Sequence, residues 1–246
     1  MNVITVSRQR GSRGSYIALE VAERLGLRYL DREILDSVAR ETGLTTDVVE
    51  HIEERATRVP RVMHLLGARP KLPVIASASL REQQDREERI ADLVRQEGMS
   101  RGAALSRLDA VGGLEYAPSM DYLDLVTSVI LESAAQGDAM IVGRGGQIIL
   151  ARMPGVLHVK ILSRFESRVF ELTQREGIKW REAAHRIRAS DEQRDGYLRR
   201  FYNVDWLDPN LYDLVINTDR ISDAAAVEMI ITAAGAVAEA ATHEPA

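Results

Sequence analysis

The chain first offers chemistry in a loop built from arginine, glycine and serine: Ser7-Arg8-Gln9-Arg10-Gly11-Ser12-Arg13-Gly14-Ser15. Glycine lets backbone approach a ligand closely, and the free N–H groups at the start of a helix attract phosphate. A phosphate loop has the pattern glycine, four residues, glycine, lysine, then serine or threonine. Laid over it, this segment puts Arg8 and Arg13 at the glycine positions and Gly14 at the lysine position. Only Ser15, a candidate Mg²⁺-side hydroxyl, fits. Two readings stand here: a phosphate cradle, or a Gly/Ser turn before a helix that binds nothing.

Three further clusters bear on the choice. Tyr29-Leu30-Asp31-Arg32 and Gly143-Arg144 each follow an apolar run, and residues 180–200 hold Arg181, Arg186, Arg188, Arg194, Arg199 and Arg200 with Asp191 among them. Guanidinium groups grip phosphate oxygens in pairs, so such a stretch could close over a phosphorylated ligand. Arg186 and Arg194, eight residues apart, are taken to share a helix face. The plainer alternatives are an N-cap for Asp31, a capping arginine for Arg144 and an arginine-rich surface helix. Of the 32 cationic side chains only Lys71, Lys160 and Lys179 are lysine. No lysine can therefore stand in the loop itself, and its nearest cations are Arg8, Arg10 and Arg13.

The elements that must position these groups follow from periodicity. Residues 2–7 are β-branched and read as a buried strand, and Ile17, Leu19, Val21, Ala22 and Leu25 recur at helical spacing until Gly26. Leu27–Leu30 is a second strand, with Asp31 capping a helix to about Arg40. Ala139–Gly143, Val156–Leu162 and Leu211–Asn217 are further strands. Helices follow from Ser163 to about Arg175 and from Ser222. Continuous apolar strands alternating with helices imply an α/β fold with a parallel sheet covered on both faces. In such a sheet the ligand crevice lies at the carboxyl edge, where all these βα junctions open.

No strand is expected between residues 43 and 137. Thr45-Thr46-Asp47 opens a helix, Pro60, Pro70 and Pro73 punctuate a loop, 80–97 is a strongly charged helix, and 119–136 is amphipathic. Glu97-Gly98-Met99, Ala104, Arg107, Leu108 and Ala110 echo Glu176-Gly177-Ile178, Ala183, Arg186, Ile187 and Ala189 without a gap. Each reads as a helix stopped at glycine and a second begun, either by shared helix-end chemistry or by duplication of a phosphate-gripping helix pair. His51, His64, His158, His185 and His243 show no ligand spacing.

Composition closes off other classes. With no cysteine there is no disulfide, thiolate metal site or cysteine nucleophile. A net charge of −5 argues against a general nucleic-acid binder. No apolar run approaches the roughly 18 residues that span a membrane, and the N-terminal run is too short for a signal peptide. A cytoplasmic protein without nucleic-acid or membrane partners is expected, with a disordered tail at 241–246.

The chain resembles the cytidylate kinase-like family, a branch of the P-loop nucleoside monophosphate kinases. The resemblance is carried by Ile4-Thr5-Val6-Ser7-Arg8 with Gly11-Ser12-x-Gly14, by Tyr29-Leu30-Asp31-Arg32-Glu33, and by Ile141-Val142-Gly143-Arg144-Gly145. Glu176-Gly177-Ile178 and Asp191-x-x-Arg194-x-x-Tyr197 add to it. Its most specific part is Asp205-Trp206-x-Asp208-Pro209-x-Leu211-Tyr212-Asp213-Leu214-Val215-Ile216-Asn217-Thr218. The family implies one three-layer P-loop kinase domain over 1–240, with a five-stranded parallel sheet. It also implies a helical acceptor-site insertion at 43–120 and an arginine lid at 177–203.

By the same resemblance Arg8, Gly11, Ser12, Arg13, Gly14, Ser15 and Tyr16 would hold ATP, with Ser15 toward Mg²⁺. Asp31, Arg32, Gly143, Arg144 and Asp191 would hold the acceptor, and Arg13, Arg186, Arg188 and Arg194 would be catalytic. The implied reaction moves the γ-phosphoryl of ATP to CMP or dCMP by positioning and charge neutralisation. The branch typically carries Gly-Ser-Gly-Gly where other kinases have Gly-x-Gly-Lys, which suits the missing lysine. Arg13 replaces the second glycine of that string and could either supply the missing cation or obstruct the phosphates. A nucleotide-binding regulatory protein without turnover, and a kinase for another small acceptor, are the alternatives.

Overall fold

The computed structural model describes residues 2–42, 44–47, 49–50, 71–72, 94–95 and 120–243. It divides into two compact units, Met1–Ile34 with Thr127–Ala246, and Leu35–Val126. The first unit holds a five-stranded parallel sheet. Its strands are β1 (Val3–Arg8), β2 (Arg28–Leu30), β5 (Ala139–Val142), β6 (Val156–Leu162) and β7 (Leu214–Asn217), in the spatial order β2-β5-β1-β6-β7. The order reverses at β1, so the crevice at its carboxyl end is flanked by β5 on one side and β6 on the other.

The two faces of the sheet are chemically unlike. Ile4, Val6, Met140, Val142, Leu157, Val159, Ile161 and Ile216 form one face and pack under α1 (Gly14–Leu25) and α7 (Asp223–His243) through Ile17, Val21, Val227 and Ile230. The other face carries Thr5, Ser7, His158 and Lys160, all buried. There the Thr5 hydroxyl meets His158 Nδ1 at 2.8 Å, and the His158 amide donates to Asp213 Oδ2 at 2.7 Å. Burial holds the His158 imidazole below its usual range. Polar residues this deep must be paired, and these are.

Several boundaries differ from expectation for local reasons. Helix α2 (Glu33–Thr42) begins two residues after Asp31, whose carboxylate is committed elsewhere. Strand β7 starts at Leu214 because Asp208-Pro209-Asn210 first makes a 3₁₀ turn, with Asp208 Oδ1 accepting from Asn210 N at 2.9 Å and Pro209 at the first turn position. Helix α5 (Phe165–Glu176) stops at Gly177, which is left-handed at φ 65°, and α6 (Trp180–Tyr202) follows. Between β5 and β6 lies the single-turn α4 (Gly146–Ile149). Asp223–Ala241 of α7 runs 19 residues at mean hydropathy 1.5, long and apolar enough to cross a membrane, contrary to the sequence expectation that no such run exists. Here Ala226, Val227, Ile230 and Ala234 are buried in the sheet-facing core.

In the second unit a helical segment opens at Thr46, whose hydroxyl donates to Asp36 Oδ1 at 2.6 Å. A two-residue antiparallel ladder joins β3 (Lys71–Leu72) to β4 (Met120–Asp121), so the stretch expected to lack strands contains two. Two residues are too few to leave a periodic signal. Helix α3 (Tyr122–Ala135) leads on toward β5. The proline-punctuated loop, the charged helix except for the helical pair 94–95, the first half of the internal echo and residues 244–246 lie outside the described residues.

Candidate phosphate-binding site

Between β1 and α1 the loop is bolted to β6. Gln9 N donates to Ile161 O at 3.1 Å, Gln9 Oε1 accepts from Ser163 N at 3.1 Å, and Ser12 Oγ donates to Gln9 O at 2.8 Å. Ser12 is therefore turned into the protein, and only its backbone remains for a ligand. Gly11 sits at φ 82°, where an added Cβ would lie 2.6 Å from Arg168 O. Gly14 is held against Arg8, with 2.6 Å between its would-be Cβ and Arg8 Cβ. Arg13 is left-handed (φ 60°) at the N-cap of α1 and gives no side-chain cap. The first N–H groups of α1 thus open onto the crevice.

That crevice is a cleft of about 490 Å³ whose lining includes Arg8, Arg10, Arg13, Arg175 and Arg194 against two carboxylates, Glu171 and Asp223. Most of these cations have partners. Arg13 donates to Thr218 O at 2.9 Å and pairs with Asp223 at 3.2 Å, so it leans to the α7 side rather than into the phosphate path. Arg10 and Arg175 both pair with Glu176, at 3.1 and 3.2 Å. Arg194 differs. Among the described residues its side-chain hydrogen bonds go only to Ser190, and its pKa is pushed down to about 10, first by burial and then by Arg8. A charge disfavoured in this way is stabilised by an incoming anion.

A second cluster stands at the β5 side. Asp31 Oδ2 accepts from Arg8 at 2.8 Å, and its other oxygen is 3.8 Å from Arg144. Gly143 (φ 84°) lets the chain pass Arg8 Nη1, since a Cβ there would be 3.0 Å away. Arg8 also donates to Ser15 Oγ at 3.3 Å and so joins the loop to the Asp31–Arg144 pair. Asp31 is an arginine-bridging carboxylate in this structure; Arg32 beside it is exposed.

The remaining site expectations are spread out. Arg186 pairs with Glu176 at 2.8 Å and Glu182 at 2.5 Å, and Arg188 stacks over Phe165 at 4.8 Å. Neither lines the cleft. An eight-residue step on a helix drifts by ~80°, which is why Arg186 and Arg194 face different surroundings. Asp191 accepts from Arg168 at 3.0 and 2.8 Å. Tyr16 is 57% exposed at the rim, its phenol pKa raised by a hydrogen bond with Glu20.

Sequence reasoning missed two groups. Arg168 is buried, carries the carbonyl under Gly11, and reaches Arg10 O at 3.5 Å. Its signal was a charged residue inside the apolar stripe Phe165, Val169, Leu172 of α5. Lys160 lies behind the loop rather than in the cleft lining, because β6 pairs it in register with Ser7, the residue before Arg8. The cations that line the cleft are arginines, Arg8, Arg10 and Arg13 among them, and the lysine stands in the layer beneath.

Among the described residues there is no group of three His, Asp or Glu that could hold a metal ion. Ser15 Oγ remains the one expected Mg²⁺ contact, and Arg8 Nε stands 3.3 Å from it. These residues do not build a resident metal site. A magnesium ion here would arrive with a nucleotide as part of the substrate, ligated mainly by phosphate and water.

The sequence model of the cytidylate kinase-like family matches residues 3–220. Among curated proteins, a cytidylate kinase of Methanopyrus kandleri is 32% identical over 37% of this chain and 52% of its own length. One from Methanothrix thermoacetophila is 27% identical over 58% of this chain and 78% of its own. A uronate isomerase of Corynebacterium glutamicum is 28% identical over 43% of this chain, but the match spans only 20% of that protein. The first two of these relatives in strength of match are thus covered over about half their length or less. An uncharacterized protein from Eubacterium ventriosum of known crystal structure superposes with a TM-score of 0.58 at 18% identity, covering 96% of this chain and 98% of that one. That likeness concerns the fold.

Proposed function

From the premise that the chain belongs to the cytidylate kinase-like family, we propose that it is a nucleoside monophosphate kinase moving the γ-phosphoryl group of ATP to CMP or dCMP. The observation that carries this reading is Arg194, a half-buried guanidinium in the cleft whose only described hydrogen-bond partner is Ser190. The triphosphate would run along the N-terminus of α1, its oxygens meeting the backbone of Gly11 to Ser15. Arg194 would face the transferring group. The acceptor phosphate would be met by Arg144 and Arg8 at the β5 side, where Asp31 holds both guanidiniums in place.

In the reaction an acceptor phosphate oxygen attacks the γ-phosphorus, the bond to the β,γ-bridging oxygen breaks, and ADP leaves with a nucleoside diphosphate as product. Charge spreads over the equatorial oxygens as this happens, and fixed guanidiniums stabilise it without reorganising. Arginine keeps its charge even when burial lowers its pKa to about 10, so the set stays cationic at neutral pH.

The test is purified protein with ATP, MgCl₂ and a panel of monophosphates, followed for diphosphate formation. CMP or dCMP is expected to give the highest turnover, lost in Arg144→Ala. ATP binding by calorimetry with no turnover on any monophosphate would sink the reading. That result would favour a nucleotide-binding protein without catalysis, which the closed Arg8–Asp31 ion pair in the acceptor position also suits.

A further inference from the structure

Lys160 occupies a cage behind the phosphate loop. Its Nζ donates to Ser7 Oγ at 3.2 Å and to Trp206 O at 3.3 Å, and lies 3.5 Å from the centre of the Trp206 ring and 5.3 Å from that of Tyr212. Trp206 Nε1 and Tyr212 OH converge on the same Ser7 hydroxyl, at 2.8 and 3.3 Å. The side chain is 2% exposed. The most specific segment of the sequence resemblance, around Asp205-Trp206 and Tyr212, therefore closes over a lysine that touches the residue leading into the loop.

The charge on this lysine is finely opposed. Burial disfavours the ammonium, followed by Arg194 and then, more weakly, Arg168, while Asp191 and Asp205 favour it; the result is a pKa of about 6. The indole face attracts a desolvated cation, but by less than the cost of dehydrating it. Arg168 is already matched by Asp191. Tyr212 has its pKa raised to about 12 by burial and stays neutral, and His158, two residues earlier on the strand, is held neutral by burial. Ser7 from β1 adds no charge. Of these two opposing cations, Arg194 is the one that lines the cleft, where a ligand can neutralise it.

We infer that Lys160 is a proton-linked positioning residue, taking up a proton when a phosphate group docks on Arg194 and holding the loop in its phosphate-bound form as an ammonium under Ser7. The inference rests on the cleft being a phosphate site, and it supplies from β6 the cation that the loop sequence lacks. By linkage, phosphate binding raises the proton affinity of Lys160, and protonation raises phosphate affinity by the same factor.

Because the chain has three lysines, the test can be direct. Lysine labelled with ¹³C at Cε gives three signals, and the one missing from Lys160→Arg belongs to Lys160. In the free protein it is expected to titrate near 6. With saturating ATP, or inorganic pyrophosphate, the midpoint is expected to rise by roughly 1–3 units. Calorimetry at pH 7 in two buffers of different ionisation enthalpy should show proton uptake on ATP binding by the wild type and none by Lys160→Met. A Lys160 titration unmoved by saturating ATP, or one already near the ordinary lysine range without it, overturns the inference and leaves the site standing. Failure of both ATP and pyrophosphate to bind overturns the site and the inference together.

Discussion

The loop at Gln9–Arg13 and the helical pair α5–α6 are both rich in arginine, yet the structure uses the charge differently in each. In the loop the backbone is the built object: Gly11 is wedged against Arg168 O, Ser12 is tied inward, and Arg13 is turned toward Asp223. In the helical pair most arginines are spent locally. Arg186 lies on Glu176 and Glu182, Arg199 on Asp195 and Asp205, and Arg188 on the Phe165 ring. Arg194 alone among the lid arginines of the sequence expectation lines the cleft. Arginine density marks a region; local pairing decides which cation remains for a ligand.

The sharpest way to break that distinction is to remove one arginine from each class. Arg194→Ala is expected to lower kcat/KM for diphosphate formation about 10³-fold, the scale of a transition-state arginine. Arg186→Ala, whose charge is exposed and already matched, should cost about threefold or less. Steady-state assays with ATP and CMP read both. Equal losses would mean that the pairing seen around Glu176 does not persist when substrate binds.

Next in size comes the backbone comparison. Gly11→Ala puts a methyl 2.6 Å from Arg168 O at φ 82°, whereas Gly177→Ala at φ 65° meets nothing within 4 Å. The first should cost about 3 kcal/mol, from clash and left-handed strain together, and weaken ATP binding. The second should cost about 1 kcal/mol, from strain alone. Urea unfolding of the two variants separates the terms.

Much of this contrast was legible in the sequence, and the part that was not has a physical reason. Strand β5 could be read because a continuous apolar run ending in Gly specifies a buried parallel strand, and β1 and β6 because β-branched and other apolar residues recur through them despite Thr5, Ser7, His158 and Lys160. Gly26 and Gly177 could be read as helix stops because the left-handed conformation there favours glycine. The convergence of Asp31 and Arg144 on one edge also followed from the βα pattern. Pairing did not: that Glu176 gathers Arg10, Arg175 and Arg186 depends on three elements meeting in space. Lys160 was invisible for a similar reason, since its position beside Ser7 is a matter of strand register across more than 150 residues of chain.

A smaller effect concerns the clamp that orients α5 against the loop. Asp219 accepts from Ser163 Oγ at 3.0 Å and from Arg164 N at 2.7 Å. Burial raises its proton affinity, but the hydrogen bonds outweigh this and bring the pKa to about 2. The carboxylate's contribution is present above the ordinary value near 3.8 and is lost as pH falls through about 2. Asp219→Asn should lower stability by about 1–2 kcal/mol at pH 7, with the difference fading in acid melts. Reduced ATP affinity in this variant would extend the comparison, since it would show that the paired region also supports the loop.

The smallest expected effect asks whether the two regions are electrically coupled. The unfolded chain keeps the Lys160 proton up to about 10.4, whereas the folded protein releases it near 6. Between those limits the unfolded state binds more protons, so stability rises with pH, by about 1 kcal/mol per unit near neutrality. Below about 6 both states are protonated and the slope vanishes. Lys160→Met should remove this component from urea melts taken between pH 7 and 8. Arg194→Ala should narrow the window from its lower end, because a cation opposing the ammonium has gone. Arg186→Ala should not, its guanidinium being matched by Glu176 and Glu182. If both arginine variants move the window alike, the charge felt at Lys160 is that of the whole helix, and Arg194 loses its special place in the cleft.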